Sequence, residues 1–147
     1  MDKLIRLATL EDMPQLLRMG ESFYLESGYQ DMIEFNQPDV RDMLEQLINM
    51  GTLVTNGDSA MLGFVIFPMF LNKKSLMAQE LFWWVDKGKR GSSDGIKLLN
   101  RAEEIAKQSG ASIMNMLSLN DSGGDKVNAL YERKGYTRKE QSYMRVL

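Results

Sequence analysis

The chain contains neither histidine nor cysteine. That removes the Ser-His-Asp arrangement, imidazole acid–base work, thiolate nucleophiles, disulfides and most zinc sites together. Proton transfer must then fall to Asp, Glu, Lys, Tyr or water. Two such groups stand out. Glu80 heads an apolar run, Glu80-Leu81-Phe82-Trp83-Trp84-Val85, and regular strand alternation sets it on one face with Ala78, Phe82 and Trp84. A carboxylate there is partly desolvated, which favours a general base; one near the strand's start, in water or beside a lysine, does nothing special. Tyr131 falls with Val127 and Leu130 at i, i+3, i+4 spacing, a stripe that fits a core as well as a catalytic acid.

After the apolar run comes Asp86-Lys87-Gly88-Lys89-Arg90-Gly91-Ser92-Ser93-Asp94-Gly95-Ile96, then an amphipathic stretch. A strand, a turn of small residues and a helix start make a natural anion site: unpaired N–H groups and the positive end of the helix dipole meet there. Lys87, Lys89 and Arg90 add charge. The turn matches neither a Walker P-loop nor G-x-G-x-x-G. An ordinary β-to-α loop has a similar composition. Trp83 and Trp84 point to opposite faces and serve a core or cleft wall more simply than a ligand stack.

The elements that would position these residues follow from periodicity. Residues 3–8 suit a first strand. Thr9 is a helix N-cap before Met13, Leu16, Leu17 and Phe23, and Pro38 opens a second helix striped by Val40, Met43, Leu44, Leu47 and Ile48, closed by Gly51. Residues 52–55 and 61–67 form strands about the hairpin signal Asn56-Gly57-Asp58. A strand over 76–85, a helix over 92–109 stopped by Gly110, a strand over 113–119, a short helix over 125–134 and a final strand over 143–147 complete the order. With no linker, repeat or low-complexity tract, residues 1–147 read as a single α/β domain.

Two segments carry a family resemblance. Arg90-Gly91-Ser92-Ser93-Asp94-Gly95 resembles the [QR]-x-x-G-x-[GA] acetyl-CoA motif of GNAT acyl-CoA N-acyltransferases, with Ser93 in place of the middle Gly. Leu130-Tyr131-Glu132-Arg133-Lys134-Gly135-Tyr136 resembles that superfamily's L-Y-x-x-x-G-[FY] segment. The Asn-x-x-Ala ahead of it is replaced by Gly124 and Val127, with Asn120 four residues early. A narrower likeness to small phage-encoded members rests on the Trp-Trp strand and the Gly-Asp-x-Val-x-x-Leu-Tyr segment. The resemblance implies a mixed, mostly antiparallel sheet splayed in the middle, with helices on both faces. It implies acetyl-CoA as co-substrate, without a metal, held by Trp84, Val85, Arg90, Gly91, Ser92, Ser93, Gly95, Ile96 and Asn120. It also implies direct attack of a primary amine on the thioester, with Tyr131 as acid; the base is water, as in many members, or Glu80 by its strand position.

Composition narrows the partners. A net charge of −2 argues against general nucleic-acid binding, and no apolar run approaches the roughly 18 residues of a membrane span. The residues Met1 to Arg6 do not resemble a signal peptide, so a cytoplasmic location is expected; a homodimer is left open. The 12 methionines read as adaptable core filler. From Glu21 to Gln46 seven acids face one base, Arg41, whereas Lys87, Lys89, Arg90, Lys126, Arg133, Lys134, Arg138 and Lys139 collect later. That asymmetry suits a cationic acceptor, such as a polyamine or basic peptide, and an anionic donor; a solvated acidic face is the plainer account. The rival functions are a CoA-binding module without catalysis, a nucleic-acid base modifier on the same fold, and a scaffold with an empty turn.

Overall fold

The computed structural model describes residues 4–119 and 124–147. The described strands form a five-stranded sheet in the order β1 (Arg6–Leu7), β2 (Leu53–Thr55), β3 (Ala60–Met69), β4 (Asn72–Val85) and β5 (Ala111–Asn115). The first four are antiparallel, and β5 runs parallel to β4. A parallel return needs a crossover, which α3 (Asp94–Gln108) supplies. Helices α1 (Met13–Ser27) and α2 (Gln37–Met50) join β1 to β2, and α4 (Gly124–Arg133) follows β5. None of the described helices is long and apolar enough to cross a membrane.

The sheet separates two cores. On one face Leu98, Leu99, Ala102, Ile105 and Ala106 of α3, with Tyr131 of α4, pack on Leu62, Phe64 and Ala78. On the other, Met13, Leu16 and Met19 of α1 and Leu44 and Leu47 of α2 pack on Met61, Phe82 and Trp84. The helical stripes therefore do bury the faces that their 3.6-residue period indicates. The caps are local: the Asn36 side chain accepts from the Asp39 N–H at 3.0 Å to start α2, and Gly51 at φ 71° ends it. In the β2–β3 hairpin the Asn56 carboxamide accepts three N–H groups, from Asp58, Ser59 and Ala60, at 2.9–3.1 Å.

One irregularity governs the site. In the β3–β4 register Gly63 faces Phe82 but Phe64 faces Glu80. Leu81 is therefore an extra residue, a β-bulge, and the alternation of β4 slips by one beyond it. Phe82 and Trp84 face α1 and α2, whereas Ala78 and Glu80 face α3 and α4. The expectation that these four share a face is corrected: alternation alone cannot register a bulge, which depends on the partner strand. Gly63 makes room for the displaced ring, since a Cβ there would lie 2.5 Å from the Phe82 Cζ and 2.9 Å from Leu47 Cδ1. Gly63→Ala is expected to destabilise the fold by about 1–3 kcal/mol, measurable as a lower urea midpoint with an unchanged slope.

Several boundaries also differ from the periodicity reading: β4 begins at Asn72 rather than 76, and α3 spans Asp94–Gln108 rather than 92–109. The fifth strand spans Ala111–Asn115 rather than 113–119, because its pairing ends at Gln79↔Asn115. The expected strand over 143–147 does not form. Residues 136–147 carry no helix or strand, and Tyr143 is 88% and Val146 63% exposed. A strand needs a neighbour's backbone to pair with, and this segment has none among the described residues.

Candidate active site

Parallel pairing of β4 with β5 stops at Gln79, while β4 itself continues to Val85. From Glu80 onward the outer edge of β4 has no strand beside it among the described residues, so a wedge opens between the two. Glu80 sits at its apex, only 6% exposed. Its Oε1 accepts the Leu117 N–H at 3.0 Å and faces the Tyr131 hydroxyl at 3.5 Å. That hydroxyl donates to the Leu117 carbonyl at 2.6 Å. One backbone residue beyond β5 thus ties both side chains together.

Burial pushes the Glu80 carboxyl up to about 7, with the Leu117 N–H and the Tyr131 hydroxyl partly offsetting it. Burial, then the charge of Glu80, raises Tyr131 well above an ordinary phenol, so it keeps its proton. A carboxyl poised near neutrality beside a fully protonated phenol is a workable base and donor pair. Around them, the rings of Trp83 and Tyr136 lie 6.1 and 5.3 Å from that of Tyr131. Tyr136 is anchored through its hydroxyl to Glu103 at 2.6 Å, and Lys134 bridges to the same carboxylate at 2.9 Å. These contacts fix the end of α4 on α3.

At the mouth of the wedge, α3 begins without a side-chain cap from Ser93. Its first internal bond is Lys97 N–H to Ser93 O at 3.0 Å, so the Gly95 and Ile96 N–H groups have no carbonyl within the helix. Gly95 lies close to β4: a Cβ there would stand 3.5 Å from Val85 Cγ2 and 3.8 Å from Trp83, ordinary contact for alanine and crowded for anything larger. Gly91 holds φ 99°, a conformation that glycine adopts without strain. Asp94, the acid at this helix start, is drawn aside: its Oδ2 accepts from the Asn56 carboxamide at 2.8 Å.

The Arg90 side chain turns toward α1. Its guanidinium forks onto Glu26 of α1 at 3.0 and 2.7 Å, donates to Val85 O at 2.8 Å, and lies 4.8 Å above the Trp84 ring. Lys87 reaches the same carboxylate at 3.5 Å. Trp84 donates its indole N–H to Asp86 at 2.7 Å, and Asp86 also pairs with Arg18 at 2.9 Å. Arg90, Trp84 and Asp86 therefore lash the turn to α1. Ser92 and Ser93 are exposed at the helix start, as is Ile96, and Asn120 lies outside the described residues. Val85 closes β4 at the wall of the wedge.

Behind Leu81, on the α1–α2 face, lies a cavity of about 440 Å³. Phe23, Tyr24, Tyr29, Phe35 and Phe82 wall it, and Glu34 and Asp39 also border it. Sequence reasoning missed this chamber, the Leu117 backbone and Glu26. For the chamber there was a signal, the crowding of Phe23, Tyr24, Tyr29 and Phe35 into one helix-to-loop stretch. For a backbone N–H there is none.

Residues 15–136 match the acetyltransferase (GNAT) family. No curated protein is significantly similar. Among solved structures, the chain is similar to an acetyltransferase of Trypanosoma brucei, at 17% identity and a TM-score of 0.71, covering 99% of this chain and 100% of that one. A predicted acetyltransferase of Clostridium acetobutylicum, solved with acetyl-CoA, superposes equally well: 17% identity, TM-score 0.71, 97% and 95% covered. An aminoglycoside acetyltransferase from a soil metagenome gives 14% identity and a TM-score of 0.70 over 100% and 99%. At such identities the likeness concerns the fold.

Proposed function

Because this chain belongs to the acetyltransferase (GNAT) family, we propose that it transfers an acetyl group from acetyl-CoA directly to a primary amine. The observation that carries this reading is the buried Glu80 carboxylate, 3.5 Å from the Tyr131 hydroxyl, at the point where β5 leaves β4. The surroundings fit the donor. The Gly95 and Ile96 N–H groups and the small Ser92 and Ser93 accept the pyrophosphate at the helix start, with Asp94 already turned away. The outer edge of β4 between Glu80 and Val85, Trp84 among them, offers backbone groups to the amide-bearing arm, although the Glu80 and Val85 carbonyls already accept from Gln79 and Arg90. Arg90 contributes by fixing this turn against α1 through Glu26 rather than by meeting phosphate.

The chain's own groups then move one proton around. Glu80 takes it from the bound ammonium, the freed amine attacks, and the nitrogen's second proton leaves to water as the C–N bond forms and the C–S bond breaks. Tyr131 gives its hydroxyl proton to the departing sulfur, and Glu80 returns a proton to Tyr131 across the short gap between them. The high proton affinity of the buried phenol drives that last transfer, and both residues end as they began. The test is release of CoA thiol that depends on both acetyl-CoA and an amine, with the N-acetyl product identified by mass. Thiol release without an amine, or none with any amine, would count against the reading.

The donor site carries its own prediction. Ser93→Asp puts a carboxylate at the start of α3, where it suits the helix dipole but repels a pyrophosphate. The variant is expected to melt no lower than the parent yet bind CoA at least about ten-fold more weakly. Undiminished affinity in a calorimetric titration would move the pyrophosphate elsewhere. The acidic Glu21 to Gln46 region favours a cationic acceptor, and its turnover is expected to weaken as salt screens that charge.

A further inference from the structure

The chamber behind Leu81 bears on which amine is used, and its composition does not suit a polyamine. Its walls are aromatic and aliphatic, and the polar groups among them are mostly spoken for. The Tyr24 hydroxyl donates to Ile33 O at 2.6 Å, and the Asn36 carboxamide is occupied in capping α2 at 3.0 Å. Of the acids in the Glu21 to Gln46 region, Glu26 is taken by Arg90 and Lys87. Only Glu34 and Asp39 border the chamber, and both are exposed. A long hydrophilic cation would have to leave water for a surface that returns few hydrogen bonds.

From this chamber we infer that the acceptor is a monoamine carrying an aromatic or similarly bulky apolar body. The inference rests on the acetyl-transfer reading and narrows its acceptor. The volume of about 440 Å³ lies within the range of small-molecule sites. The rings brace one another into an aromatic wall: Phe23 stands 6.4 Å from both Tyr29 and Phe82, and Tyr24 stands 5.3 Å from Phe35. Methionines 43 and 61 complete the lining with adaptable side chains. Leu81 and Phe82 form part of the floor, and Leu81 adjoins Glu80 in the bulge. Glu80 itself faces the other side of the sheet, so an apolar body held there presents its amine to the base through the gap beside β4, where pairing with β5 has stopped. Glu34 and Asp39 attract the ammonium form without enclosing it.

The experiment compares 2-phenylethylamine, ethanolamine and spermidine at saturating acetyl-CoA, by thiol release. It also titrates 2-phenylethylamine calorimetrically into the protein, with and without a non-reactive CoA analogue. The expected result is a kcat/KM at least about ten-fold higher for phenylethylamine than for the other two, the scale on which apolar pockets discriminate. Phe35→Ala, at a half-buried position, is expected to raise the KM for phenylethylamine about ten-fold while kcat and the KM for acetyl-CoA hold. Transfer to spermidine or ethanolamine as efficient as to phenylethylamine would overturn the chamber assignment and leave acetyl transfer standing. So would a KM indifferent to Phe35→Ala. Phenylethylamine that binds, loses affinity in Phe35→Ala and is never acetylated would instead uphold the chamber and sink the transfer reading. Absence of binding in both titrations, with no turnover, overturns both.

Discussion

Glu80→Gln is expected to lower kcat/KM by about 10²- to 10³-fold at pH 7, the scale of a lost general base. The shape of the pH profile says more than the size of the loss. In the parent, activity should rise with pH up to an inflection near 7, where burial has set the Glu80 carboxyl. It should then level off until the amine itself deprotonates, near 10 for an alkylamine. In the variant the inflection disappears and the rate climbs steadily with the fraction of neutral amine. The deficit is therefore largest at and below pH 7 and narrows toward pH 10. A deficit equal at every pH would assign Glu80 to positioning.

Stability supplies an independent check on the same carboxyl. Its folded pKa, about 7, is raised above the ordinary 4.5, so between those values the native state binds more protons than the unfolded chain. The parent must then lose stability as pH rises through that window, by about 3 kcal/mol at most. Below pH 4.5 both states are protonated and the effect is absent; above 7 the loss is complete. Glu80→Gln should show none of this slope and should gain on the parent as pH rises. Parallel stability curves for the two proteins between pH 5 and 8 would show that the carboxyl is not held protonated.

Tyr131→Phe is expected to reduce kcat by about 10²-fold or more while leaving acetyl-CoA affinity intact. The hydroxyl's partners are Glu80 and Leu117, not the α3 helix start proposed for the donor's pyrophosphate, so the two effects separate. The same change also strips the Leu117 carbonyl of its 2.6 Å partner and Glu80 of a nearby donor. Leaving that carbonyl unpaired costs about 1–3 kcal/mol of stability. Losing the donor lets the Glu80 carboxyl rise further, so the inflection in the pH profile should move to higher pH. A slow enzyme with the shifted inflection fits Tyr131 as both proton donor and partner of Glu80. An unchanged kcat would return Tyr131 to the core as a packing residue.

Much of this was legible in the chain itself. The absence of His and Cys confined the acid–base chemistry to a few residue types. The Arg90 to Gly95 turn between an apolar strand and an amphipathic helix was legible as a helix start, which exposes N–H groups whatever the surrounding fold. The stripes of α1, α2 and α3 named the core because helical periodicity is local. What the sequence could not supply were the contacts between distant segments. Glu80 meets Tyr131 across 51 residues and Arg90 meets Glu26 across 64. The bulge at Leu81 turned Glu80 away from Phe82 and Trp84 toward α4, and a one-residue slip is invisible unless the opposing strand is known. Residues 143–147 have the composition of a strand but pair with no strand among the described residues. The aromatic chamber exists only because α1, α2 and β4 converge. Local patterns fix which face of an element is apolar; only the packed chain decides what that face meets.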